Sequence, residues 1–170
     1  MLKQLLSLYN IIEQNKQKLK DSGLSENFFI DIYRSQPQEP ELYEYFSLPA
    51  LFIDYSMTGQ GKNQPRLITL TIHIVVDEMP DASNISEQKQ AGLQRFTYCL
   101  LLQSILEGCR LDKSTPLRFV SENIIDEPVI NYHSQTYEFE AYLEDMTTDI
   151  QTIIGQFEQL NIYGNLIGME

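Results

Sequence analysis

The chain has 170 residues, 42% hydrophobic and 21% charged, with a formal net charge of −12. That length suits one domain with a sizeable core, and the balance is that of a globular protein in water. No apolar run approaches the ~20 residues that span a bilayer, polar residues interrupt any signal-peptide core near Lys3, Gln4 and Asn10, and the acidic excess repels phosphate backbones. Residence in the cytoplasm is expected, with no membrane and no specific nucleic-acid partner.

Residues 1–20 predict an amphipathic helix with Leu2, Leu5, Leu6, Tyr9 and Ile12 on one face. It ends in Lys16, Lys18 and Lys20, and Gly23 lies just beyond. Residues 25–33 read as a second short helix, with Ser25 as cap and Phe28, Phe29 and Ile32 apolar. Pro37 and Pro40 in a polar run make 35–40 a loop.

Pro49 then opens a strand over 50–57, in which Leu51, Ile53, Tyr55 and Met57 share a face. Residues 58–65 form a flexible, Gly-rich connection. The next strand, 67–76, alternates strictly. Ile68, Leu70, Ile72, Ile74 and Val76 point to the core, and Leu67, Thr69, Thr71, His73 and Val75 to a semi-polar second face. The two strands predict a long hairpin.

A loop over 77–84 leads to a helix over 91–107, part of an apolar stretch of about six turns. Its stripe includes Leu93, Phe96, Cys99, Leu100, Leu101, Leu102, Ile105 and Leu106. So wide a stripe predicts burial on more than one side, with Leu100 in the core. Gly108 is the expected stop. A strand over 118–125 follows, then a hairpin of 129–132 and 136–143 around a turn at His133, Ser134 and Gln135. On its last strand Tyr137, Phe139, Ala141 and Leu143 face in, and Glu138, Glu140, Tyr142 and Glu144 face out. Ile150, Ile153, Ile154, Phe157 and Leu160 are spaced for a tail helix, and 161–170 for an extended arm. The fold class expected is α+β, with about four antiparallel strands packed on one long central helix plus an N-terminal helix. The organisation is one domain: a helical segment 1–46, a core 47–145 and a tail 146–170.

No local pattern equips the chain for catalysis or for a cofactor. Gly59, Gly61 and Lys62 suggest a phosphate loop, but Asn63 follows where Ser or Thr is needed, and a strand comes next instead of a helix. Asp77, Asp81 and Asn84 lack the glycine and spacing of a calcium loop. His73 and His133 have no second histidine at metal spacing. Cys99 and Cys109, ten residues apart, lie ~15 Å apart along a helix, too far for a disulfide. They read as two small core hydrophobes. No metal, cofactor-binding or catalytic residue is assigned.

Charge is uneven. All 12 basic residues lie at or before Arg118, and ten acids with no base follow. Alternate carboxylates at Glu138 and Glu140, continued by Glu144, would present a negative strip. Arg110, Lys113 and Arg118 form the nearest basic cluster. Candidate interface residues are therefore Gly59, Gly61, Lys62, Arg110, Arg118, Glu138, Glu140 and Glu144.

Residues 47–55 (SLPALFIDY), 67–77 (LITLTIHIVVD) and 126–139 (DEPVINYHSQTYEF), in the order helix, strand, loop, long strand, long helix, hairpin, resemble the tail terminator or tail completion (head–tail joining) proteins of long-tailed phages and prophages. The resemblance spans roughly residues 1–145 as an element order. It implies a non-enzymatic ring subunit, often in sixes, that caps the tail tube and meets the head connector in the virion. An adaptor of a tail-like injection machine would share that fold. A small hydrolase or nucleotide-binding enzyme would instead need a deep polar pocket.

Overall fold

The computed structural model describes residues 1–25, 28–39, 46–76, 82–126 and 130–146. The predicted tail helix and arm lie outside them, as do 41–45 and most of the loop after Val76.

The architecture is α+β, as expected, but with five strands and several helices among the described residues. The elements are α1 (Leu2–Gln14), α2 (Lys16–Asp21), β1 (Phe29–Ile32), β2 (Ala50–Gly59), β3 (Arg66–Val76), α3 (Lys89–Gly92), α4 (Gln94–Leu106), β4 (Arg118–Ile125), β5 (Asn131–Ala141) and α5 (Leu143–Met146). The sheet runs β1-β2-β3-β5-β4. β1 and β2 are parallel and every other pair is antiparallel.

The N-terminal helix is broken at Asn15, whose side-chain amide donates to the Ile11 carbonyl (2.8 Å), a local bond that competes with the backbone ladder. α2 ends in a Schellman motif: Gly23 sits at φ 75°, its N–H donates to the Lys20 carbonyl, and the Leu24 N–H donates to that of Leu19. The buried face of α1 is Gln4, Leu8 and Ile12. Leu2 and Leu6, expected on the core face, point outward. The short helix expected over 25–33 is corrected to strand β1. Its Phe and Ile spacing fits a helix turn, but pairing of Phe29–Ile32 with Ala50–Ile53 wins.

The two strands read from alternation are where they were expected, and they pair in continuous register from Ala50↔Val75 to Gly59↔Arg66. β2 is buried over its first four residues, while β1 flanks it, and exposed from Asp54 onward. Tyr55 and Met57 are thus half exposed instead of core. The turn predicted at 133–135 does not exist. β5 runs unbroken through it and pairs with β3 along its whole length.

The central helix is also corrected. It breaks at Leu93, and α4 has 13 residues. It buries Tyr98, Cys99, Leu102, Ile105 and Leu106, whereas Leu93 and Leu100 are 44% and 65% exposed. Among the described residues the side of the stripe that carries Leu93 and Leu100 faces outward. Gly108, at φ 82°, follows the helix end. One core joins α1, α2 and α4 to the inner sheet face through Leu51, Ile53, Ile68, Leu70, Ile72, Tyr137 and Phe139. Each such fully buried side chain contributes about 1.5–3 kcal/mol. A second, smaller core on the opposite face contains Phe52, Val75 and Tyr132, with Phe29, Tyr33 and Phe46 against them.

Candidate functional site

Most of the expected interface residues converge on one end of the sheet. The turn between β2 and β3 carries Gly61 and Lys62 on its exposed tip. Register places Gly59 opposite Arg66, and Arg66 opposite Ala141. Gln60 Nε2 donates to Glu140 Oε1 at 3.4 Å. Lys62, Arg66, Tyr142 and Glu144 line an open cleft of about 670 Å³. The 108–117 connection closes the same end: the Thr115 N–H donates to the Glu140 carbonyl (2.8 Å), and the Glu140 N–H to Thr115 Oγ1 (2.7 Å).

The expected continuous acidic strip is corrected. Glu144 lies in α5, which begins at Leu143, so the alternation of β5 ends at Ala141. Glu138 accepts a charge-assisted hydrogen bond from Arg118 of the same chain. Arg110 Nη1 donates to the Ser114 carbonyl within its own loop (3.2 Å). Both arginines thus have partners inside the subunit. Lys113 pairs with Asp145 at 3.1 Å.

The outer sheet face divides at about its middle. At one end His73 stacks on Tyr33 (3.9 Å, 11°), and its Nδ1 shares a 2.6 Å hydrogen bond with the Tyr132 hydroxyl. Burial lowers the pKa of His73, and Asp54 pulls the other way. Its side chain, expected on a semi-polar surface, is instead sealed in the second core. At the other end, three rows cross the face: Asp54–Thr71–Thr136, Ser56–Thr69–Glu138–Arg118 and Thr58–Leu67–Glu140. That half is polar, acidic and open.

A third constellation is invisible in the sequence. His133, expected in a turn, lies inside β5 and is 1% exposed. Glu122 pairs in register with Gln135, and Ile124 with His133, so Glu122 stands diagonal to His133 on the face toward α4. Cys99 comes down from α4. One ligand atom from each of Cys99, Glu122 and His133 lies within 4.8 Å of the others. Glu122 Oε1 is 3.7 Å from His133 Nδ1, too far for a hydrogen bond, and neither ring nitrogen has a hydrogen-bond partner. The ring meets Phe96 edge-on at 5.5 Å.

Gln135 braces this group. Its Nε2 donates to the Cys99 carbonyl (2.8 Å) and to Glu122 Oε2 (2.7 Å), and its Oε1 accepts from the Tyr137 hydroxyl (2.8 Å). Burial, reinforced by Glu122 and opposed by Arg95, pushes the Cys99 thiol up to about 12. Burial is also the main cause lowering His133, with Glu122 opposing and Arg95 adding to it. A thiol so far from ionisation is a poor nucleophile at neutral pH. The three residues are 11 and 23 positions apart in the chain; only the pairing of β4 with β5 under α4 brings them together.

Among the described residues no helix is long and apolar enough to cross a membrane. No protein-family model matches the chain, and no curated protein is significantly similar to it.

Proposed function

We propose that the chain is a structural subunit of a phage or prophage tail: a ring-forming terminator or completion protein that caps the tail tube, joins it to the head connector and works without catalysis. The element-order resemblance is what suggests the family. The observation that best supports assembly is a pair of open sheet edges on opposite flanks. β1 covers Ala50–Ile53 of β2, and among the described residues nothing pairs with the same edge over the exposed 54–59. On the far side β4 ends the sheet. A bulge between Phe119 and Ser121 blunts its start, and Val120 and Ile124 are 45% and 62% exposed beside it.

Two different patches on opposite sides are what a head-to-tail association requires, and such an association closes into a ring when its rotation allows. Strand addition between open edges is a common way to form the contact. The outward Leu93 and Leu100 of α4 add apolar area that a neighbour would cover. In this reading the open acidic half of the outer face, with Asp54, Glu138 and Glu140, lines a channel through which DNA slides without sticking. The sheet end with Gly59, Gly61, Lys62 and Glu144 meets the tail tube.

The test is co-sedimentation with polymerised tail-tube protein, followed by electron microscopy of the tube ends. Density capping one end of each tube is expected. Absence of binding to tubes, or decoration along their length, would overturn the terminator role. In rings, replacing Glu138 and Glu140 with Lys should leave assembly intact and slow DNA passage; loss of the ring would overturn the channel assignment.

A further inference from the structure

We propose that Cys99, Glu122 and His133 form a binding site for one divalent transition-metal ion of the zinc class, which pins β4 and β5 to helix α4. The donor set is a thiolate, an imidazole and a carboxylate, the ligand types that zinc takes. A thiolate and an imidazole together select borderline-soft ions over magnesium or calcium, which prefer all-oxygen sites. Two anionic ligands and one neutral one balance a dication.

The independent sign of a missing occupant is His133. Buried polar groups are nearly always hydrogen-bonded, yet both nitrogens of this ring, at 1% exposure, have no partner. The ring is aimed at the space it shares with Glu122 and Cys99. The lack of a hydrogen-bond partner for either nitrogen among the described residues, in an otherwise well-braced group, fits an ion there.

The geometry is close to what an ion needs. Bonds of ~2.0–2.3 Å at tetrahedral angles set ligand atoms roughly 3.3–3.8 Å apart. From the present limit of 4.8 Å, closure requires about 1 Å of contraction. Glu122 is the piece that moves, because its side chain is 27% exposed whereas His133 is sealed. The exposed carboxylate also gives the ion its entry and leaves a fourth position for water. Binding displaces the thiol proton of Cys99 to solvent as the thiolate coordinates the ion. Gln135 Nε2, on Glu122 Oε2, orients the carboxylate from behind, the usual role of an outer-shell partner. Metal binding at this position is independent of ring formation.

The full chain, freed of metal by a chelator, is titrated with Co²⁺ and followed by absorbance. Saturation at one equivalent is expected, with a thiolate-to-cobalt charge-transfer band and the visible bands of a four-coordinate ion, and Zn²⁺ should displace it. Cys99→Ser should abolish the charge-transfer band and Cys109→Ser should keep it. Glu122→Gln, a change at a partly exposed side chain, should weaken Co²⁺ at least tenfold while circular dichroism stays unchanged. Zn²⁺ should raise the unfolding temperature of the parent and not of Glu122→Gln. No charge-transfer band, a band that survives in Cys99→Ser or vanishes in Cys109→Ser, or equal affinity in Glu122→Gln would each overturn the site. Because Glu122→Gln keeps a side-chain oxygen that can accept from Gln135 Nε2, the test stands even if Cys99→Ser fails to fold.

Discussion

The two faces of the sheet are built from the same strands and solve different problems. The inner face is apolar from Leu51 to Phe139 and lies under α1, α2 and α4. Among the described residues the outer face is sealed at one end, by Phe29, Tyr33, Phe46 and Phe52 around His73 and Tyr132, and is polar beyond Thr71. Alternation in β3 and β5 assigns residues to faces, but it does not say how far each face is covered. Coverage is decided by elements distant in sequence: one helical layer on one side, and β1 with its following turn on the other.

The sharpest contrast lies within one helix. Leu102→Ala, on the inner side of α4, should cost about 2–5 kcal/mol in chemical denaturation. Leu100→Ala, two residues earlier and outward, should cost less than about 0.5 kcal/mol in the isolated subunit. Equal losses would mean that α4 is covered on both sides. Across the sheet, Phe52→Ala should also be costly, about 3–5 kcal/mol, if the outer aromatic cluster is a true core; a loss under about 1 kcal/mol would reduce it to surface decoration.

Gln135 carries a different kind of stability. It is fully buried and ties α4 to β4 and β5. Gln135→Leu should cost about 1–3 kcal/mol, because the Tyr137 hydroxyl and the Cys99 carbonyl lose their partner in the interior. A neutral result would show that the bonds re-form with water.

Both histidines should make stability fall in acid. Their folded pKa values are lowered, chiefly by burial. Below the ordinary histidine value of about 6.5 the unfolded chain therefore binds more protons than the folded one, and stability declines as pH drops toward the folded values. At higher pH this contribution is fully present. Replacing His73 with Gln should flatten part of the slope between pH 7 and 5, leaving the part due to His133. An unchanged slope would mean that His73 is not sealed under Tyr33. The smallest effect belongs to the open half of the outer face. Glu138→Gln removes an ion pair with the exposed Arg118, and a change within about 0–1 kcal/mol is expected.

These contrasts also show what could be read in the residues. β2 and β3 were legible because strict alternation has one solution, and Gly23 and Gly108 because each sits at positive φ next to a helix end. β1 was not legible. Four residues gain strand character only by lying parallel to β2, and nothing local encodes that. The polar run at 133–135 imitates a turn, yet each side chain has a place inside the fold: Ser134 opposite His73, Gln135 in its bracing network, His133 beside Glu122. The width of the α4 stripe reads as burial on more than one side, and among the described residues Leu93 and Leu100 stay exposed. The cluster of Cys99, Glu122 and His133 was unreadable for the same reason as β1, since its spacing follows the strand pairing and no local motif.

We propose that opposite sheet edges join copies of this chain into a ring. Light scattering gives the solution mass of the purified chain, alone and with tail-tube protein, for the parent and for Ile124→Lys on β4 and Met57→Lys on β2. A parent mass that is a fixed multiple of the 19.7 kDa subunit is expected, and a monomer for either variant, with unfolding midpoints close to the parent's. A parent that stays monomeric at every concentration and with tail-tube protein present, or variants that keep the parent's multiple, would contradict it.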